Sequence, residues 1–232
     1  MQIIKITCPP LGTNTYLVIE QNKEEFEEQH RNSQTPHKSA LNMTVKGSYS
    51  KSSEAIIIDP SYKSTEKVLE QIKKSNIKIK YIINTHGHPD HTWENQKIKE
   101  LTKAKLLIHK ADSHLLKNPE FETPIPFNES VPDKFLENGK TIILGKLKFK
   151  IIHTPGHSPG GVCLYEEHEQ VLFSGDTLFK GTYGRTDLHH SDSEEMKKSL
   201  QKLSQLPSQT KVYPGHGKET TIKEAREWID RM

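Results

Sequence analysis

The chain has 232 residues, 32% of them hydrophobic, with a mean hydropathy of −0.75 and a formal net charge of +3. That length fits one domain, or one domain with an insertion, and is enough to bury a core. The small charge, with no block of Lys/Arg, argues against a nucleic-acid partner, and no stretch reaches the length of a membrane span.

The opening segment, Met1 to Thr7, reads as a strand rather than an export signal. Residues 2–7 and 13–19 are expected to be strands, with Pro9, Pro10 and Gly12 turning between them. From 21 to 53 the chain is almost wholly polar and reads as an insertion, with a helix at 23–30 and then a loose loop. The apolar run Ala55-Ile56-Ile57-Ile58-Asp59-Pro60 suits a buried central strand. A helix follows at 65–74, with Val68, Leu69 and Ile72 on one face, and then a strand at 80–84. A helix at 93–102, a strand at 105–109, a short helix at 111–117 and a Pro-rich loop at 119–132 come next. Strands are expected at 140–144, 147–153, 162–166 and 170–174, then a helix at 193–205 and a short strand at 211–213. Thr221-x-x-Glu224 fits a capping box at the start of the last helix. Two halves, each running from strands to helices, suggest two sheets packed face to face with helices outside. Cys8 and Cys163 form no C-x-x-C and read as small apolar thiols; with no export signal, a cytoplasmic location is expected.

The chemistry concentrates at strand ends. Thr85-His86-Gly87-His88-Pro89-Asp90-His91 directly follows the strand at 80–84, and Gly87 and Pro89 mark it as a turn. Imidazole and carboxylate donors suit zinc or iron, and this many in one bent loop can serve more than one ion. The same setting recurs at His157 in Pro155-Gly156-His157-Ser158-Pro159-Gly160-Gly161, at Asp176 in Ser174-Gly175-Asp176-Thr177, and at His216 in Pro214-Gly215-His216-Gly217. Each donor is flanked by glycine or proline and carried on a loop held by a sheet. His30, His37, His109, His114, His153, His168, His189 and His190 read as surface or strand-end residues, though His189 and His190 adjoin a candidate substrate loop.

The pattern H-x-H-x-D-H, then a distant His, an Asp and a last His, resembles the metallo-β-lactamase superfamily from residue 2 to about 226, interrupted by 21–53. The resemblance implies an α/β fold, an αββα four-layer sandwich of two mixed β-sheets with helices on the outer faces. It implies two divalent ions, zinc first, with iron or manganese as alternatives. His86, His88 and His157 would hold one, Asp90, His91 and His216 the other, and Asp176 would bridge both together with a hydroxide. Asp59 matches the family's early aspartate, a residue that orients a ligand. Asp90 and Asp176 are the catalytic carboxylates on this reading, and His88 at the second motif position argues against the diiron flavoprotein branch.

The stretch Lys180-Gly181-Thr182-Tyr183-Gly184-Arg185-Thr186-Asp187 is similar to glyoxalase II-like hydrolases and also to persulfide dioxygenases. A thioesterase acting on a small-molecule thioester is therefore expected, with Tyr183 and Arg185 as candidate substrate contacts. Arg185 has an alternative, a pairing with a local aspartate. Thr92-Trp93-Glu94-Asn95 stands where the family often has Gly-Gly, and the chain ends sixteen residues after His216, where full-length glyoxalase II continues into a glutathione-binding helical domain. The expectation is a single domain over 1–232 without that extension. The alternatives are a mononuclear iron persulfide dioxygenase using only His86, His157 and Asp176, a lactonase or β-lactamase, and a binding module with a decayed site. Intact ligand positions argue against the last.

Overall fold

The computed structural model describes residues 1–20, 53–119 and 127–232. The expected helix at 23–30, the loop after it, His30 and His37 lie outside the described residues, as do residues 120–126 of the Pro-rich loop.

The first sheet has six strands in chain order: β1 (Gln2–Cys8), β2 (Thr13–Ile19), β3 (Ser53–Ile58), β4 (Ile77–Ile83), β5 (Lys105–His109) and β6 (Lys134–Leu136). Its first three strands run antiparallel and the rest parallel, so the sheet is mixed. The second sheet contains β7 (Thr141–Leu144), β8 (Leu147–His153), β9 (Val162–Glu166), β10 (Val171–Gly175), β13 (Lys211–Pro214) and β14 (Thr220–Thr221), in spatial order β14-β13-β10-β9-β8-β7. β11 (Leu178–Phe179) and β12 (Thr182–Tyr183) form a separate two-stranded ribbon. The helices are α1 (Ser64–Ser75), α2 (Pro89–Thr92), α3 (Asn95–Thr102), α4 (Ser193–Ser204) and α5 (Ile222–Ile229), with a 3-10 turn at Lys110–Leu116.

Period-two alternation sorts the strand side chains into layers. In β3, Ile56 and Ile58 face the second sheet, where Phe149, Ile151, Leu164 and Phe173 meet them. Ala55 and Ile57 face the other way, against Val68 of α1 and Ile98 of α3. In the second sheet, Cys163, Leu172 and Val212 turn outward onto Met196, Leu200 and Leu203 of α4 and Ile222 and Ala225 of α5. Three apolar layers thus separate four structural ones, which is the expected αββα sandwich. Each fully buried Ile, Leu or Phe stabilises it by about 1.5–3 kcal/mol.

Several elements differ from expectation. β4 starts at Ile77, because Ile77 and Ile79 are buried between exposed Lys78 and half-exposed Lys80. The helix expected at 93–102 begins two residues late, as α3 at Asn95, since Glu94 donates its backbone N–H to Pro60 O instead of to a helical carbonyl. The turn after His88 becomes one turn of α2, with Pro89 in the first-turn position where a missing N–H costs nothing. The segment at 110–116 is 3-10 rather than α. β6, β11, β12 and β14 are two or three residues long, too short to show a period. The capping box is half made: Thr221 Oγ1 accepts from Glu224 N, but the Glu224 carboxylate turns to Thr220 Oγ1.

Candidate metal centre

The loops after β3, β4, β8, β10 and β13 converge. Val162 N donates to Thr85 O at 2.8 Å and Gly215 N to Gly175 O at 2.8 Å, joining the donor-bearing loops to one another. Three trios of side chains each bring their donor atoms within 4.8 Å of one another: His86, His88 and His157; His86, His91 and Asp176; Asp90, His91 and His216. All seven expected ligands are therefore in one place, and Asp176 sits between the outer trios. Its carboxylate lies 3.4 Å from His91 Nε2, 3.5 Å from His216 Nε2 and 3.6 Å from His157 Nε2.

The outward nitrogens are occupied. His157 Nδ1 donates to Arg185 O at 2.8 Å, His216 Nδ1 to Leu11 O at 3.3 Å, and His91 Nδ1 to Asp59 Oδ2 at 3.0 Å. His86 Nδ1 faces Thr85 Oγ1 at 3.1 Å. Fixing Nδ1 in this way leaves Nε2 as the inward donor on each ring. His88 is turned the other way, with Nδ1 2.9 Å from His157 Nε2. His86 Nε2 and Asp176 Oδ1 are buried and have no hydrogen-bond partner among the described residues. Buried orphans of this kind are costly unless they serve as ligands.

The electrostatics agree. Burial holds His86 well below the ordinary imidazole range, and neighbouring His91, His88 and His157 add to it. Burial, then His157 and His91, brings His88 down to about 3. Burial opposes ionisation of Asp90, yet His91, His216 and Thr13 hold its carboxyl well below the usual range. Burial alone would lower His91, but Asp90, Asp176 and Asp59 raise it to about 10. Three carboxylates that hold a proton on a wholly buried imidazole are a group suited to holding cations, flanked by two imidazoles that burial keeps neutral.

Asp59, expected to orient a ligand, lies against His91 and Thr85. Its Oδ1 accepts from Thr85 N at 2.7 Å and its Oδ2 from Thr85 Oγ1 at 2.7 Å, as well as from His91. Gly215 is required by close approach: a Cβ there would run into Asp176 Oδ1 and lie 2.7 Å from His91 Cε1.

Other supporting residues carried no signal in the sequence. Thr13 Oγ1 donates to Asp90 Oδ2 at 2.8 Å, and Asn14 and Tyr16 of the same strand bond to Pro214 O at 3.0 and 2.7 Å. Asn84 and Asn95 exchange side-chain hydrogen bonds at 3.1 and 2.8 Å, and Asn84 also holds His91 O at 3.2 Å. The residues standing where the family often has Gly-Gly thus brace the site. Glu94 among them accepts from Thr65 N at 2.5 Å and caps α1.

Two substrate candidates need correction or qualification. Tyr183 stacks on Trp228 of α5 at 6.1 Å and packs with the outer core of the second sheet. Its ring is engaged by the fold and does not line the opening over the metal ligands. Arg185 does line it, but Nε and an Nη pair with Asp187 at 2.7 and 2.8 Å, the local pairing foreseen as its alternative. His109 stacks on His153 at 4.3 Å, apart from the seven ligands, and His189 packs against His190.

A family model described as the metallo-beta-lactamase superfamily matches residues 49–216. An uncharacterized protein of Aquifex aeolicus is 42% identical over 181 residues, covering 76% of this chain and 84% of that one. The hydroxyacylglutathione hydrolase GloC of Haemophilus influenzae is 33% identical, covering 72% of this chain and 82% of that relative. Among solved structures, the BLEG-1 B3 metallo-beta-lactamase aligns with a TM-score of 0.78 at 30% identity, over 97% of each chain. TTHA1623, solved in a di-iron-bound form, aligns with a TM-score of 0.73 at 29% identity, over 95% of each chain.

Proposed function

The chain belongs to the metallo-β-lactamase superfamily, and from that premise we propose that it is a two-metal hydrolase of thioesters of the hydroxyacylglutathione type. The observation that carries the two-metal reading is the completeness of the Asp90, His91 and His216 trio beside the His86, His88 and His157 trio. A mononuclear iron dioxygenase would use His86, His157 and Asp176 and give His91 and His216 no ligand role. Yet their Nε2 atoms are 3.2 Å apart and aimed at the same carboxylates as a ligand pair would be.

On this reading His86, His88 and His157 hold one cation, Asp90, His91 and His216 the other, and Asp176 serves both. Two divalent cations held there would acidify a water and polarise an acyl carbonyl. Asp90 takes or holds the proton of the attacking water at its carboxylate, which Thr13 Oγ1 keeps turned toward the site. A thiolate leaves readily, since a thiol ionises at about pH 8.5. The cavity over the ligands has a volume of about 380 Å³, and Leu11, Leu188 and Arg185 form its non-ligand lining. Leu11 is 61% exposed and offers an apolar rest for an acyl group. GloC supports the thioester assignment, because the match takes in 82% of that relative's length and so includes most of a hydroxyacylglutathione hydrolase.

The test is hydrolysis of S-lactoylglutathione beside oxygen uptake with glutathione persulfide, in the parent and in His216→Ala. The parent is expected to hydrolyse the thioester and consume no oxygen, and the substitution to cut hydrolysis by roughly a hundredfold or more. Oxygen uptake that survives His216→Ala would establish the mononuclear iron reading instead.

A further inference from the structure

Asp112 lies on the 3-10 turn after β5, wholly buried, and no motif marks it. Its Oδ2 accepts from Gly87 N at 3.0 Å and from Ser158 Oγ at 2.7 Å, and its Oδ1 accepts from Gly160 N at 2.5 Å. Gly87 sits between His86 and His88, and Ser158 follows His157. One carboxylate therefore ties together the two loops that carry every member of the His86, His88 and His157 trio. The approach is close: a Cβ on Gly160 would lie 2.5 Å from Asp112 Oδ1.

Asp90 and His91 follow on the same loop as Gly87, but among the described residues none of Asp90, His91 and His216 hydrogen-bonds to Asp112 itself. Asp90, His91 and His216 are held instead by Thr13, Asp59 and Leu11 O. We propose that Asp112 is the positioning residue of the His86, His88 and His157 ion site, setting the affinity of that site without setting that of its neighbour. The proposal rests on the two-metal reading above. Three donors converging on one buried carboxylate fix the loop-to-loop spacing, and hence how closely His157 Nε2 meets His88 Nδ1.

Asp112→Asn keeps the volume but turns an amide NH2 toward at least one of the three donors. The test is zinc binding by chelator competition in two backgrounds. In His216→Ala, which leaves the first trio, Asp112→Asn is expected to weaken zinc binding by about 10–100-fold. In His88→Ala, which leaves the second trio, affinity is expected to stay within about twofold on the same scale. Equal loss in both backgrounds, or no loss in either, overturns the proposal. Should Asp112→Asn fail to fold, Ser158→Ala removes one of the three donors and is expected to show a smaller loss confined to the first trio. Parent protein that binds no zinc would overturn the metal-centre reading itself, which separates that failure from a failure of Asp112 alone.

Discussion

Asp176→Ala is expected to lower thioester hydrolysis by roughly a thousandfold, the scale on which removing a preorganised charge stabiliser acts, and to release both ions on dialysis. No other side chain of the site is placed between the two outer trios: the Asp176 carboxylate reaches toward His157 of one and His91 and His216 of the other. Asp176→Asn keeps the shape and one acceptor oxygen but removes the charge. It is expected to retain some metal and to lose most of the rate. Elemental analysis after dialysis, with initial rates on S-lactoylglutathione, checks both variants. Full turnover with one metal retained in Asp176→Ala would remove Asp176 from its shared position.

Asp59→Ala is expected to carry the largest loss of stability, about 3 kcal/mol, read as a shift of the urea midpoint at an unchanged slope. Asp59 is 1% exposed, and removing its carboxylate leaves Thr85 N, Thr85 Oγ1 and His91 Nδ1 without their acceptor. Its φ of 52° adds to the cost, because alanine tolerates the left-handed region less well than aspartate or asparagine. Asp59→Asn avoids that strain and one lost acceptor, so it is expected to unfold between the two. Both substitutions free the His91 ring to rotate, and zinc affinity is expected to fall by about 10–100-fold even where the fold survives. A variant as stable as the parent, with unchanged zinc affinity, would show that Asp59 does not orient His91.

The candidate ligands were legible in the sequence because they are polar, follow strand ends and, all but His91, have a glycine or proline beside them. Gly215 illustrates why: the backbone comes so near Asp176 and His91 that no Cβ fits. The sandwich was legible from Ile56, Ile57 and Ile58, whose continuous apolar run requires burial on both faces of a strand. What could not be read were contacts made across long stretches of chain. Thr13 meets Asp90 across 77 residues, and Asp112 meets Ser158 across 46, and neither residue type is unusual where it stands. Tyr183 misled for a related reason. It was marked as a substrate contact by a stretch similar to glyoxalase II-like hydrolases, but Trp228 from the last helix stacks on its ring. Glu94 and Asn95 ran the other way. A departure from the family pattern turned out to supply a helix cap and an amide pair that hold the His91 backbone.

Metal content per chain bears most directly on the proposed two-metal thioesterase. The protein would be purified without a histidine tag and assayed on S-lactoylglutathione before chelation, after it and after zinc is restored. About two divalent ions per chain are expected, with turnover that follows them out and back. A single iron per chain, with no thioester hydrolysis at full occupancy, would contradict it.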